Sequence, residues 1–590
     1  MSFLHRLSHA LISHFWLIWA IGLVAAPLLP LWMFRKRLSE PVRRSLPVRE
    51  PNAKLPKGAL VAFVVFTVLY LGFMFWGEDF CYQDGHAFTD YTAIGLTRPP
   101  AIWHAAGRFW PLGYQEYNLI AHLSATATAF LMFGAVQLVL ALWLLYSSMP
   151  HLRPAVRLFV FFVLMLAPAF GADFAELTYA DRNVVFAICL LIFCVRRYDA
   201  QPTISLLLTI IVLSYFALFY KETTPALLGT FAGSRILIKL SRGGFRTAFK
   251  SPLEIGIISA CAYFAVLLGL TLLPTGTSDY IKEGSVGRPL AALRYLTGDP
   301  LLAAFLVAFG IHVVRTVRQG KRFDPLWDCL GFGAVLHIAA VASTGLAQVY
   351  LMGPSELVAT LTLARLASAW WDERSSARPI LTAAGVALVA VSLTFGAFRL
   401  IERKNIVWQW EKISDFVVAY YRGPDARQTR LYLAAEGGVA MNFLSFLRYK
   451  GLQFHSVGEP AGTEAIAVAG SEDFPEDRCV TYEPFICHQD AVHAGDLIVR
   501  LPEESWMPNE TGLRRGDEVF RLHDMKLAPL YSALPGLFSS PFRPLLAALY
   551  RVSPTLNGIF RHRALPDDWL SVSASKVVPS LVATRAADSN

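Results

Sequence analysis

The sequence predicts an α-helical polytopic membrane protein of about twelve spans, followed by a C-terminal soluble α/β domain. Three observations carry this. Hydrophobic residues fill 55% of the 590 positions and charged ones only 16%, with a mean hydropathy of +0.44, a composition suited to solvation by lipid. Apolar runs near the ~20 residues that cross ~30 Å of hydrocarbon as helix recur through the first part of the chain. Basic residues gather in alternate connections between those runs, the pattern of cytoplasmic loops.

In order, the strong runs are Phe15 to Phe34, Ala59 to Trp76, Leu119 to Tyr146, Leu158 to Ala172, Thr203 to Tyr220, Ile255 to Leu273, Leu301 to Val314 and Ile380 to Phe398. Val184 to Val195, Pro225 to Leu240, Leu326 to Ser343 and Leu357 to Trp371 are shorter or interrupted, but each must cross to keep its neighbours on the right side. The basic loops hold Arg35 to Lys57, Arg153 and Arg157, Arg196 and Arg197, Arg242 to Lys250, Arg315 to Arg322, and Arg374 with Arg378. By contrast, Gly77 to Asn118 carries five acids against two arginines and belongs outside. Parity then puts the N-terminus and everything beyond about Leu400 outside as well. The first run contains Pro27 and Pro30, so a signal anchor or re-entrant hairpin stands beside a full crossing.

Residues 1–400 therefore read as a transmembrane domain with functional outer loops, and 401–590 as an extracytoplasmic α/β domain. In the latter, Thr429 to Ala435, Leu452 to Val457, "EAIAVAG" and "GDLIVRL" have strand character, and "VAMNFLSFLRYKG" is helical. Fifty-three Lys and Arg against 44 Asp and Glu give a formal charge of +9, but its placement in membrane loops argues against nucleic acid. Of seven cysteines, Cys479 and Cys487 lie where a short-loop disulfide or two free thiols are both allowed; no Cys/His set has zinc-ligand spacing.

Polar residues collect at the outer ends: Glu78, Asp79, Asp84, Arg108 and Glu116 in the first loop; Asp173, Glu176, Asp181 and Arg182 in "GADFAELTYADRN"; Lys221 and Glu222 in "FYKETT". Beside apolar helices such groups must be hydrated, paired or lining a cavity. Carboxylates with arginine and lysine at a lipid boundary suit transfer of a sugar from a lipid phosphate. A base takes the acceptor hydroxyl's proton, and positive charge or a divalent metal balances the phosphate leaving group. Glu78 and Asp79 are the base candidates, and Arg108, Arg182 and Lys221 the phosphate candidates. Asp84, Glu176, Asp181 and Glu222 complete the candidate substrate-binding set, with Glu176 able to share a metal with the first-loop acids. Each has a plainer reading as a cap, an ion pair or a solvated loop charge.

At these residues the chain resembles the GT-C superfamily of membrane glycosyltransferases. The likeness lies in the acidic "GEDF" (Glu78, Asp79) after an early apolar run, the long loop "AIWHAAGRFWPLGYQEYN" expected to form juxtamembrane helices, the charges of the second outer loop, and an outer domain after the spans. One departure is that the acidic motif follows the second apolar run rather than the first. The resemblance implies inverting transfer, outside the cytoplasm, from a polyprenyl-phosphate-linked sugar donor to a glycan, lipid or protein acceptor, in a bacterial inner membrane. A secondary transporter, a lipid-linked glycan polymerase or ligase, and a non-enzymatic scaffold are the competing readings. For the transporter, Arg365 and His337 are the mid-span ionisable residues that matter.

Overall fold

The computed structural model describes residues 11–37, 56–76, 80, 97–103, 108–177, 179–249, 251–272, 287–346, 348–373, 378–423, 429–434, 437–452, 454–455, 465–469, 495–500, 517–522 and 572–576. The molecule is mostly helical. In chain order it contains α1 (Phe15–Ala25), α2 (Leu28–Arg37), α3 (Lys57–Phe75), β1 (Ile102–Trp103), β2 (Arg108–Phe109), α4 (Gln115–Ala121), α5 (Ala127–Ser148), α6 (Pro154–Met165), α7 (Pro168–Ala175), α8 (Asp181–Ala200), α9 (Ile204–Tyr220), α10 (Thr224–Phe249) and α11 (Pro252–Leu272). Then follow α12 (Arg288–Gly298), α13 (Pro300–Arg318), α14 (Trp327–Ser343), a 3₁₀ turn Val349–Met352, α15 (Gly353–Glu373) and the 44-residue α16 (Arg378–Tyr421). The last part holds β3 (Leu431–Ala434), α17 (Gly437–Tyr449), β4 (Phe454–His455), β5 (Ala465–Ala469), β6 (Leu497–Arg500), β7 (Asp517–Leu522) and β8 (Val572–Lys576).

Most of each apolar run of the sequence is helical among the described residues, with boundaries set by local chemistry. Among the described residues, five helical stretches are long and apolar enough to cross a membrane, six with the bent α6–α7 pair, and α9, α14 and Leu381–Ala397 are shorter apolar helices. Val61, Val64, Val65, Val68 and Leu69 of α3 are exposed, an apolar face that water would disfavour and lipid would not. The first run breaks into α1 and α2 at Ala26 and Pro27, and the hydroxyls of Tyr215 and Tyr263 donate to the carbonyls of Trp19 (2.7 Å) and Ile18 (2.6 Å).

Three expectations need correction. The run Leu119 to Tyr146 is not one helix: α4 stops at Ala121, and α5 starts at Ala127 where the Thr126 hydroxyl accepts from Ala129 N–H. Leu158 to Ala172 bends by 72° between α6 and α7, because Pro168 has no N–H to continue the first helix and its ring suits the opening of a second. The loop "AIWHAAGRFWPLGYQEYN" is only partly helical; Ile102–Trp103 pairs antiparallel with Arg108–Phe109 before α4 begins.

The sheet has the order β4-β5-β3-β6-β8-β7, parallel through β6, with β8 antiparallel to both its neighbours. Strands β7 and β8 were not legible as strands in the sequence. Leu431, Leu433, Leu497 and Val499 are buried, so β3 and β6 form the apolar centre of the sheet. Cys479 and Cys487 lie outside the described residues.

Two apolar cores organise the chain. One fills the helical bundle from Phe15 to Leu400. The other joins Phe80, Trp110, Tyr114 and Tyr117 of the first loop and Phe130 of α5 to Val407, Trp410 and Ile413 of α16, Phe443 of α17, and the sheet. The sheet is therefore seated at the bundle end that carries the first and second loops. At the far end of α8, Arg235 is buried between Asp199 (2.6 Å) and Glu254 (2.7 Å).

Candidate functional site

The site grows from three connections. Helix α9 ends at Tyr220, so Lys221 and Glu222 leave its last turn; Asp181 opens α8; Arg108 is the first residue of β2. Leu112 N–H donates to Phe219 O at 3.1 Å, which fastens the first loop to the end of α9. Arg108 Nε then lies 2.6 Å from Glu222 Oε1, and Lys221 Nζ lies 2.9 Å from Asp181 Oδ2. Both cations also sit 5.6 Å from the Trp110 ring, with Lys221 Nζ 5.4 Å from Tyr350, itself stacked on Tyr179 at 4.3 Å. Lys221 and Asp181 are buried, Arg108 and Glu222 partly so. The outcome is two ion pairs whose cations share the Trp110 ring.

Beneath it lies a second layer of buried polar groups. Arg182 is 0% exposed, and its Nη2 donates to Tyr117 Oη at 2.6 Å while Nη1 donates to Glu176 O at 3.3 Å. The Tyr117 hydroxyl in turn donates to Leu177 O at 2.6 Å. Asn183 donates to Glu116, and Gln137 Nε2 donates to Asn183 Oδ1 at 2.7 Å. Burial pushes the Glu116 carboxyl up to about 7, against the lowering pull of Arg182 and Asn183. These bonds tie α4, α5 and α8 together directly under the ion pairs.

Asp173 on α7 is fully buried, and neither carboxylate oxygen has a hydrogen-bond partner among the described residues. It packs on Gly353, where an added Cβ would collide with Oδ2. Glu356 of α15 accepts from Phe170 N–H at 2.5 Å, placing a carboxylate on the first turn of α7.

Of the expected site residues, Arg108 pairs with Glu222 and Lys221 with Asp181, the two cations sharing the Trp110 ring. Arg182 and Glu176 lie behind it, buried, with the Arg182 guanidinium directed at Tyr117 and the Glu176 backbone. Glu78, Asp79 and Asp84 lie outside the described residues. Among the described residues no three His, Cys, Asp or Glu side chains form a metal-binding group. Tyr350 and Tyr179 were not legible as walls of the site, Tyr350 being remote in sequence, whereas Trp110 reads first as an interfacial aromatic and only second as a sugar-stacking platform.

No protein-family model matches the chain, and no curated protein matches it. Among solved structures, the crystal structure of ArnT from Cupriavidus metallidurans bound to undecaprenyl phosphate is similar over 76% of this chain and 93% of that one, with 12% identity and a TM-score of 0.45.

Proposed function

We propose that the protein is a membrane glycosyltransferase that moves a sugar from a polyprenyl-phosphate-linked donor to a glycan, lipid or protein acceptor on the outer side of a bacterial inner membrane. The observation that carries this is the meeting of Arg108, Asp181, Lys221 and Glu222, from three separate connections, at one end of a lipid-facing bundle. Lys221 and Arg108 supply positive charge for a phosphate while a lipid tail stays in hydrocarbon. Glu78 or Asp79 serves as base. The acceptor oxygen attacks the anomeric carbon, its proton passes to the carboxylate, and the bond to phosphate breaks, releasing polyprenyl phosphate. Arg182, turned toward Tyr117 and the Glu176 carbonyl, braces the site rather than binding the donor. The packing of the sheet's part on first-loop residues supports a role for it in acceptor capture.

The transporter reading gains nothing from its two residues. Arg365 pairs with Asp328 at 2.9 Å, and His337 bonds Ser355 (2.7 Å) and Thr223 (3.1 Å), so each is satisfied locally. The test is transfer from a panel of labelled polyprenyl-phosphate sugars by purified protein. The double variant Glu78→Gln, Asp79→Asn is expected to lose about 100-fold or more of the wild-type rate. Undiminished transfer by the double variant removes the proposed base.

A further inference from the structure

The start of α1 reaches the two stretches of backbone that carry Arg108 and Lys221. Phe15, the first residue of the helix, is 4% exposed, and its ring lies 6.2 Å from Phe109 and 6.3 Å from Phe219. Phe109 follows Arg108 in β2, and Phe219 stands two residues before Lys221. Phe264 of α11 closes the group, at 5.5 Å from Phe109 and 5.2 Å from Phe219. All four rings are buried. Such edge-on and tilted contacts hold a preferred geometry as well as excluding water.

The rest of α1 is fastened to the same elements. The tyrosines that bond the Trp19 and Ile18 carbonyls also crowd Gly22, where an added Cβ would strike both Tyr215 and Tyr263. Trp19 meets Phe216 of α9 edge-on at 5.3 Å, and beyond the break Pro30 of α2 lies against Gly256 of α11. By contrast, β2 has little hold of its own, being two residues long and paired with the equally short β1. Arg108 and Lys221 meanwhile bring like charges to one ring, Trp110, at 5.6 Å each. Glu222 and Asp181 offset that repulsion at the side chains. Placing the two backbones falls to the Leu112-to-Phe219 hydrogen bond and to the packed rings.

We propose that Phe15 is a positioning residue, and that α1 is a wedge whose aromatic head sets the spacing of the backbones bearing Arg108 and Lys221. This rests on those two cations receiving the lipid phosphate. Two cations engage one phosphate well when their separation matches it, and a small misplacement weakens both contacts. Removing the ring leaves both cations chemically intact but lets β2 and the end of α9 shift against each other. Phe15 acts through Phe109 and Phe219 and needs no contact with substrate. The first apolar run, which stands ahead of the pattern of the resembled family, thereby has a task in the site.

The test uses the full chain in lipid nanodiscs, with Phe15→Ala, Phe15→Leu and Leu17→Ala beside wild type; Leu17 is 63% exposed on the same helix. In Phe15→Ala, binding of undecaprenyl phosphate is expected to weaken about tenfold. Amide exchange of peptides covering residues 108–112 and 219–223 should quicken about tenfold in the same variant, while α5 and α14 stay unchanged. Phe15→Leu, which keeps apolar bulk without the ring, should lose about threefold in affinity, and Leu17→Ala should match wild type in both readings. Wild-type affinity in both Phe15 variants overturns the proposal. So does exchange over those two segments that stays unchanged, or that quickens no more than elsewhere in the bundle. The double variant Arg108→Gln, Lys221→Gln tests the site itself: if it binds undecaprenyl phosphate as wild type does, the phosphate assignment fails, and the wedge is then judged on exchange alone.

Discussion

Glu116 sits where burial and hydrogen bonding oppose each other, and burial wins. Its pKa rises from 4.5 to about 7. The folded state therefore holds a proton that the unfolded chain has released, and stability falls as pH rises through this window. At about 1.36 kcal/mol per pH unit the ceiling is about 3 kcal/mol, lost between about pH 4.5 and 7. Glu116→Gln keeps the shape without the charge, so its melting temperature in detergent should exceed wild type at pH 8 and match it near pH 4.5; equal melting at both values would remove the cause assigned. The Lys221–Asp181 pair offers a sharper separation. Lys221→Gln leaves Asp181 buried without its cation, at a cost of about 3–5 kcal/mol. Adding Asp181→Asn should return most of the stability but none of the affinity for undecaprenyl phosphate, read by melting and by nanodisc binding. Recovery of both would make Lys221 a structural partner only.

Helix α16 shows which parts of the fold a local reading reaches. Its first half is an apolar run and its middle turns polar, so a boundary near Leu400 is the natural inference from composition, yet the helix continues unbroken to Tyr421. The apolar helices, four strands and α17 were legible because hydrophobic period and turn chemistry are local properties. The bond from Lys404 to Met74, 330 residues apart, was not: a lysine after an apolar run reads as a cation reaching for the interface. Asp173 has the same difficulty. It reads as one loop acid among several, and only packing reveals that it is buried against Gly353. Close approach also gives this scale its prediction. At Gly396 the obstacle is the Leu166 backbone carbonyl, which cannot rotate aside as a side chain would. Gly396→Ala should therefore destabilise by about 1–3 kcal/mol and lower the melting temperature, whereas Val391→Ala on the exposed face of the same helix should change it by about 0.5 kcal/mol or less. A silent Gly396→Ala would show that α16 can move off the bend without loss.

At the scale of the molecule, one apolar cluster joins residues of the helical bundle to residues of the part with the sheet. Tyr117 and Phe130 belong to the bundle, Trp410 and Ile413 to α16, and Phe443 and Leu431 to the part with the sheet, yet all contribute to one apolar cluster. A shared core couples the stabilities of the parts it joins, because opening one exposes the buried face of the other. Separate domains instead meet through smaller, more polar interfaces and melt apart. Trp410 is the place to test this, being 2% exposed and in contact with Phe443. Trp410→Ala removes a large buried ring and should cost about 3–5 kcal/mol. If the core is common, far-ultraviolet circular dichroism and cysteine accessibility at Cys189 and Cys194, both buried in α8, should shift together to lower temperature. If the sheet and α17 were an independent domain, the variant would soften only an early transition and leave the α8 thiols protected to the wild-type temperature. Joint movement is expected, because Arg182, the neighbour of Asp181 at the start of α8, donates to Tyr117, whose ring lies in the same cluster as Trp410.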